Sequence, residues 1–151
     1  MSESGLNVIS LLPHKPPMLL VDELVSFSDA SARVRAHIGP EHLFLDENGI
    51  LDNAALVEMV AQSYAAWAAA LHAREHGSEP QEGGGYLVSV RGFEFLLSAR
   101  QGDALETEVS LSDDFMGTHI VNGTVWRGRE KLAKGQVYIF TWEGQLPPEA
   151  A

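Results

Sequence analysis

From residue 31 the chain alternates: Ala32, Val34, Ala36 and Ile38 are apolar, while Arg33, Arg35 and His37 between them are polar. That period of two predicts a strand with one face buried and the other in water. MLLVDELVSFS, just upstream, reads as a second strand, joined to the first through DAS as a hairpin. YLVSVRGFEFLL at 86–97 is strand-like, with Gly92 as a bulge or bend. ALETEVSLSD at 104–113 alternates Leu105, Thr107, Val109 and Leu111 with polar residues, and HIVNGTVWR and QVYIFTW follow. The basic run RGREKLAK between them reads as an exposed hairpin turn.

The period breaks at NAALVEMVAQSYAAWAAAL, residues 53–71, which is apolar on every side and carries Glu58 as its one formal charge. This predicts a buried helix running to about Glu75, capped by Asp52 or Asn53. LNVISLL at 6–12 predicts a short helix that stops before Pro13. Residues 39–52 are loop-like, punctuated by Gly39, Pro40, Asn48 and Gly49. HGSEPQEGGG at 76–85 has the composition of a mobile loop, and residues 1–5 and 144–151 are expected to fray. One long helix with about six strands on short connections implies an α+β domain over 1–151, its antiparallel sheet wrapped against the helix.

Composition narrows the function. The chain of 151 residues is 45% hydrophobic and 21% charged, a globular balance for one domain. With no cysteine, thiol catalysis and cysteine zinc sites are excluded, and a cytoplasmic setting is expected. The first residues lack the pattern of a secretion signal. A net charge of -11 argues against nucleic acid as a partner, and alanine-rich 53–71 with an acid inside it argues against a membrane span.

Glu58 is the candidate for chemistry. A carboxyl removed from water keeps its proton to higher pH, as a general acid requires, and residues 53–71 hold no cation to oppose that shift. The bland alternatives are an ion pair with an arginine such as Arg91, or a helix edge facing solvent. Gln62 lies one turn on, on the same face. Of the six histidines, His42 stands in the loop before the helix, His119 faces either a substrate tunnel or solvent, and His37, His72 and His76 read as surface positions. His72 and His76 have helical i, i+4 spacing but no third ligand, so no metal is expected.

Three segments in order, LLPHKPPMLLVDEL, ALVEMVAQ and YLVSVRGFEFLLSARQGDALETEV, resemble the hot-dog-fold 3-hydroxyacyl-acyl-carrier-protein dehydratases of type II fatty acid synthesis. The resemblance covers about residues 6–142 and is nearest to the dehydratase-like proteins of aryl polyene pathways. It implies a curved antiparallel sheet around one central helix, with two protomers joined edge to edge and sites at their interface. It implies Glu58 as the acid that protonates the departing 3-hydroxyl, and a loop histidine from the other protomer as base. That histidine opens a histidine-phenylalanine-proline-glycine motif absent here. Its position falls on Phe44, which is no base, and His42 is the nearest substitute. His14 matches the N-terminal motif, where the residue is structural.

Backbone N–H groups at Asn53 and Ala54 would polarise the thioester carbonyl, with Phe44 and Gln62 beside the substrate and no cofactor. The partner implied is an acyl carrier protein bearing a 3-hydroxyacyl chain. The assembly implied is a homodimer, or a heterodimer with a second dehydratase subunit. Two other functions stay open: a non-catalytic acyl-binding or partner subunit, and a thioesterase using the helix carboxylate to activate water. An acidic carrier also requires this acidic chain to gather a local basic patch from Lys15, Arg33, Arg35, Arg91, Arg100 or the 127–134 turn.

Overall fold

A computed structural model describes residues 3–7, 12, 16–77 and 84–142. The element order is β1 (Glu3–Asn7), β2 (Glu23–Phe27), β3 (Ser31–His37), α1 (Asn53–His76), β4 (Gly84–Phe95), β5 (Ala104–Phe115), β6 (Thr118–Arg127) and β7 (Glu130–Trp142). All seven strands form one antiparallel sheet in the order β1-β2-β3-β5-β6-β7-β4. The six expected strands are present, and this is the hot-dog arrangement of one sheet curved around one helix.

The differences lie at the margins and in the basic run 127–134: expected as an exposed hairpin turn, it turns only at Gly128 and Arg129, and β7 begins at Glu130 with Leu132 and Ala133 fully buried. Leu6 and Asn7, expected to begin a short helix, belong to β1, as do residues 3–5, expected to fray; Leu6 pairs with Leu24 of β2. Backbone pairing with a neighbouring strand overrides the weak local helix signal there. Residues 8–11, His14 and Lys15, 78–83 and the tail from 143 lie outside the described residues. Of the expected 76–85 loop, His76 closes α1, Gly77 caps it, and Gly84 already pairs in β4.

Helix α1 spans 24 residues because nothing in the alanine-rich run interrupts it and both ends are capped. Asp52 accepts from Ala54 N–H at the start, and Gly77, in the left-handed region at φ 75°, closes the end with its N–H on Ala73 C=O. Buried residues from Ala55 to Ala70 lie on most sides of the helix. By length and mean hydropathy (1.2) the helix passes as a membrane span, yet 61% of that window is buried inside the domain, as for a core helix.

Two paired glycines let α1 approach the sheet. Gly123 of β6 faces Gly135 of β7, and a Cβ on Gly123 would stand 2.4 Å from Val60 Cγ1. A Cβ on Gly135 would stand 2.3 Å from the Phe93 ring. The helix and the bulged part of β4 therefore both press on bare backbone. Trp67 Nε1–H donates to Ser28 C=O at 2.8 Å, which ties the far half of α1 to the β2–β3 turn.

Candidate active site

Glu58 is half-buried on the first half of α1, and its carboxylate accepts a hydrogen bond from Gln62. Gln62 is 1% exposed, and its amide is pinned at both ends. Leu20 N–H donates to Oε1 at 2.8 Å, and Nε2 donates to Met18 C=O at 2.9 Å. The second Nε2 hydrogen points at Glu58 Oε1, 3.2 Å away. Backbone from the 18–20 segment thus fixes which way the amide faces. Gln62, expected beside the substrate, has both donors committed to protein groups. Arg91, the suggested alternative partner of Glu58, donates Nε–H to Ser89 Oγ and lies over the Tyr138 ring.

His42 sits in the loop between β3 and α1. Phe44 N–H donates to His42 Nδ1 at 3.2 Å, and the two rings are 6.1 Å apart. In the neutral ring the proton then resides on Nε2, which is buried and has no hydrogen-bond partner among the described residues. Burial lowers the His42 pKa from its ordinary value, against a weaker opposing pull from Asp22. The ring is therefore held neutral, with its basic lone pair engaged by the backbone. Abstraction of a proton by Nε2 would require the Phe44 contact to be given up.

Phe44 and Asn53 meet on one cavity of about 410 Å³ at the start of α1, together with Asp52 and Ser98. The loop is braced for this. Asp46 accepts from Asn48 N–H and Ile50 N–H, Gly49 turns at φ 75°, and Leu51 N–H donates to Ala99 C=O. The expectation for Ala54 is corrected: its N–H is not open to a thioester oxygen, because it donates to Asp52 Oδ1 at 2.8 Å. A carboxylate is the group a helix N-terminus attracts most readily, so the chain's own cap occupies that donor.

Other features were not legible in the sequence. Ser98 joins the cavity through non-local pairing of the 98–103 turn with the loop, which no periodicity signals. His119 turns toward the helix, its ring 5.6 Å from that of Tyr64 and its Nε2 2.8 Å from Thr141 Oγ1. Burial, reinforced by the Asp114 charge, pushes the Tyr64 hydroxyl up to about 12. His37 is exposed and the His72 and His76 rings pack 4.3 Å apart near the end of α1. Among the described residues no group of three or more His, Cys, Asp or Glu side chains could hold a metal ion.

This geometry can be set beside known proteins. The chain is 26% identical over 144 residues to the 3-hydroxyacyl-[acyl-carrier-protein] dehydratase FabZ of Alkalilimnicola ehrlichii, covering 87% of this chain and 86% of that one. Its fold is similar to a chain of the dehydratase heterocomplex ApeI:P from Xenorhabdus doucetiae, with a TM-score of 0.81, 22% identity and coverage of 91% and 92%. It is also similar to smu.793 of Streptococcus mutans bound to acetyl CoA, with a TM-score of 0.65, 16% identity and coverage of 89% and 98%. The family model for ApeP dehydratases matches residues 6–147, so the chain belongs to the ApeP-like dehydratase family.

Proposed function

We propose that this chain supplies the proton-donating half of a dehydratase site acting on 3-hydroxyacyl thioesters of an acyl carrier protein, and that a second dehydratase subunit supplies the base. The observation that carries this reading is the Glu58 carboxyl oriented by a buried glutamine, itself clamped to backbone. A base takes the C2 proton, the C2–C3 double bond forms, and Glu58 gives its proton to the departing 3-hydroxyl, which leaves as water. Gln62 acts on the substrate through Glu58, as a positioning residue. Phe44 and Asn53 line the place where the thioester end would lie.

One observation favours a base from an unlike subunit over His42: the His42 Nδ1 lone pair is engaged by Phe44 N–H. The partner has a natural seat: β4 is an edge strand with Leu87, Val88, Val90 and Phe95 exposed at 37–55%. The ApeI:P complex, a pairing of unlike dehydratase subunits, supports the same assembly. A homodimer with His42 as base is the competing reading, favoured by the enclosed and unpartnered Nε2. We place the pathway in fatty acid or aryl polyene type lipid synthesis, in the cytoplasm.

The test is turnover of a 3-hydroxyacyl carrier-protein thioester, read by mass as loss of water. The reading expects negligible turnover by the chain alone and turnover once the second subunit is added. Robust turnover by the chain alone, abolished by His42→Ala, would favour the homodimer instead. Release of the free acid would mean a thioesterase.

A further inference from the structure

The outer face of the sheet, turned away from α1, gathers half of the chain's lysines and arginines beside four carboxylates, a less acidic balance than that of the chain as a whole. Glu23 of β2, Arg35 of β3, Glu106 of β5, Trp126 of β6 and Lys131 of β7 stand in one cross-strand row, and Arg33, Glu108, Thr124, Lys134 and Glu94 of β4 in the next. Each row alternates with buried positions such as Ala32, Val34, Val109 and Val125, so both rows face outward. Arg129, on the β6–β7 turn, joins Arg33, Arg35 and Trp126 around a groove of about 480 Å³. Five of the chain's ten lysines and arginines lie on this face.

Their charges are not equally available. Arg33 is held by Glu106 at 2.7 Å and Glu108 at 3.2 Å, and Arg35 by Glu23 at 2.7 Å. Lys131 lies 5.3 Å over the Trp126 ring. Arg129 and Lys134 form no ion pair among the described residues. Against Glu23, Glu94, Glu106 and Glu108 the five cations leave the face one positive charge in surplus, with Arg129 and Lys131 standing beside the Trp126 indole.

Position gives the face its meaning. Arg127, at the end of β6, donates to Ser98 C=O at 3.0 Å and to Asp103 at 2.8 Å, and Ser98 lines the cavity at the start of α1. Groove and cavity thus share one end of the sheet. With net charge -11 the chain repels an acidic protein over most of its surface, so approach is favoured at this face.

We propose that the Arg33–Arg35–Trp126–Arg129 groove is the docking surface for an acidic carrier protein, which it holds at the end of the sheet where the thioester must enter. This rests on the carrier-protein reading above and names the surface that reading lacks. Charge steering sets orientation and association rate, while Arg33 and Arg35, pre-ordered by their carboxylates, present fixed donors.

The experiment uses the protein with its second subunit, the double variant Arg129→Glu with Lys134→Glu, and the control Arg74→Glu near the opposite end of α1. Binding of an unacylated carrier protein is measured by calorimetry, and turnover is compared on carrier-protein and pantetheine thioesters. We expect the double variant to weaken carrier binding and kcat/KM on the carrier thioester roughly tenfold or more. Pantetheine thioester turnover should be unchanged, and the control should match wild type. Carrier binding lost in the variant while no thioester turns over in wild type would uphold the docking surface and fail the dehydratase reading. Unchanged carrier binding, or an equal loss on both thioesters, would overturn the proposal. So would equal binding and loss for a single-stranded oligonucleotide, which would mark a general anion surface.

Discussion

At the scale of single residues, Gln62 and His42 carry the most testable consequences. Replacing Gln62 by Met keeps the volume but leaves Leu20 N–H and Met18 C=O without partners. Such orphaned buried groups cost about 1–3 kcal/mol. Thermal denaturation of Gln62→Met should show that loss, and turnover should fall with it as Glu58 loses its brace. A stable, fully active variant would sink the positioning role. His42 carries a pH signature. Its pKa is lowered in the folded protein, so the unfolded chain binds the extra proton first. Stability should be complete above about pH 6.5 and decline as pH falls through the folded value, and His42→Gln should flatten that part of the profile. Much of this chemistry was legible: a lone acid in an apolar helix with a glutamine one turn on singles out Glu58. The ring state of His42 was not, because it depends on where one backbone N–H, that of Phe44, is carried by the loop. Nor was the consequence of Asp52, readable as a cap but not as the group closing the Ala54 donor.

At the scale of elements, α1 meets the sheet at Gly123, where Val60 lies against bare backbone. Gly123→Ala would drive a methyl into Val60, which cannot move away because it is itself fully buried. Overpacking of this kind costs about 1–3 kcal/mol, measurable by denaturant unfolding, and Val60→Ala in the same chain should restore part of it. Additive losses would mean that the two residues do not bear on each other. The helix and six of the seven strands were legible because their periods are strong, as in the alternation from Ala32 to Ile38. Strand order was not: β4 follows α1 in the chain yet pairs with β7 at the far edge, a non-local choice that no local pattern encodes. β1 was hidden for the same reason, since Leu6 becomes a strand residue only by pairing with Leu24.

At the scale of the whole molecule, the claim is that one chain is half of a site. The unpaired β4 edge is where the other half would join. Val88→Lys, 55% exposed in the single chain, should leave the fold intact by circular dichroism and shift the assembly toward single subunits in sedimentation, because a charge on an edge strand blocks edge-to-edge pairing. Unchanged assembly would place the interface elsewhere. The most direct measurement is water loss from a 3-hydroxyacyl carrier-protein thioester by the assembled protein, comparing wild type with Glu58→Gln while native mass confirms that the complex is intact. Loss of the acid should lower kcat about 10²–10⁴-fold, the usual worth of a positioned general acid; wild-type turnover in an intact Glu58→Gln assembly would mean that Glu58 is not the proton donor.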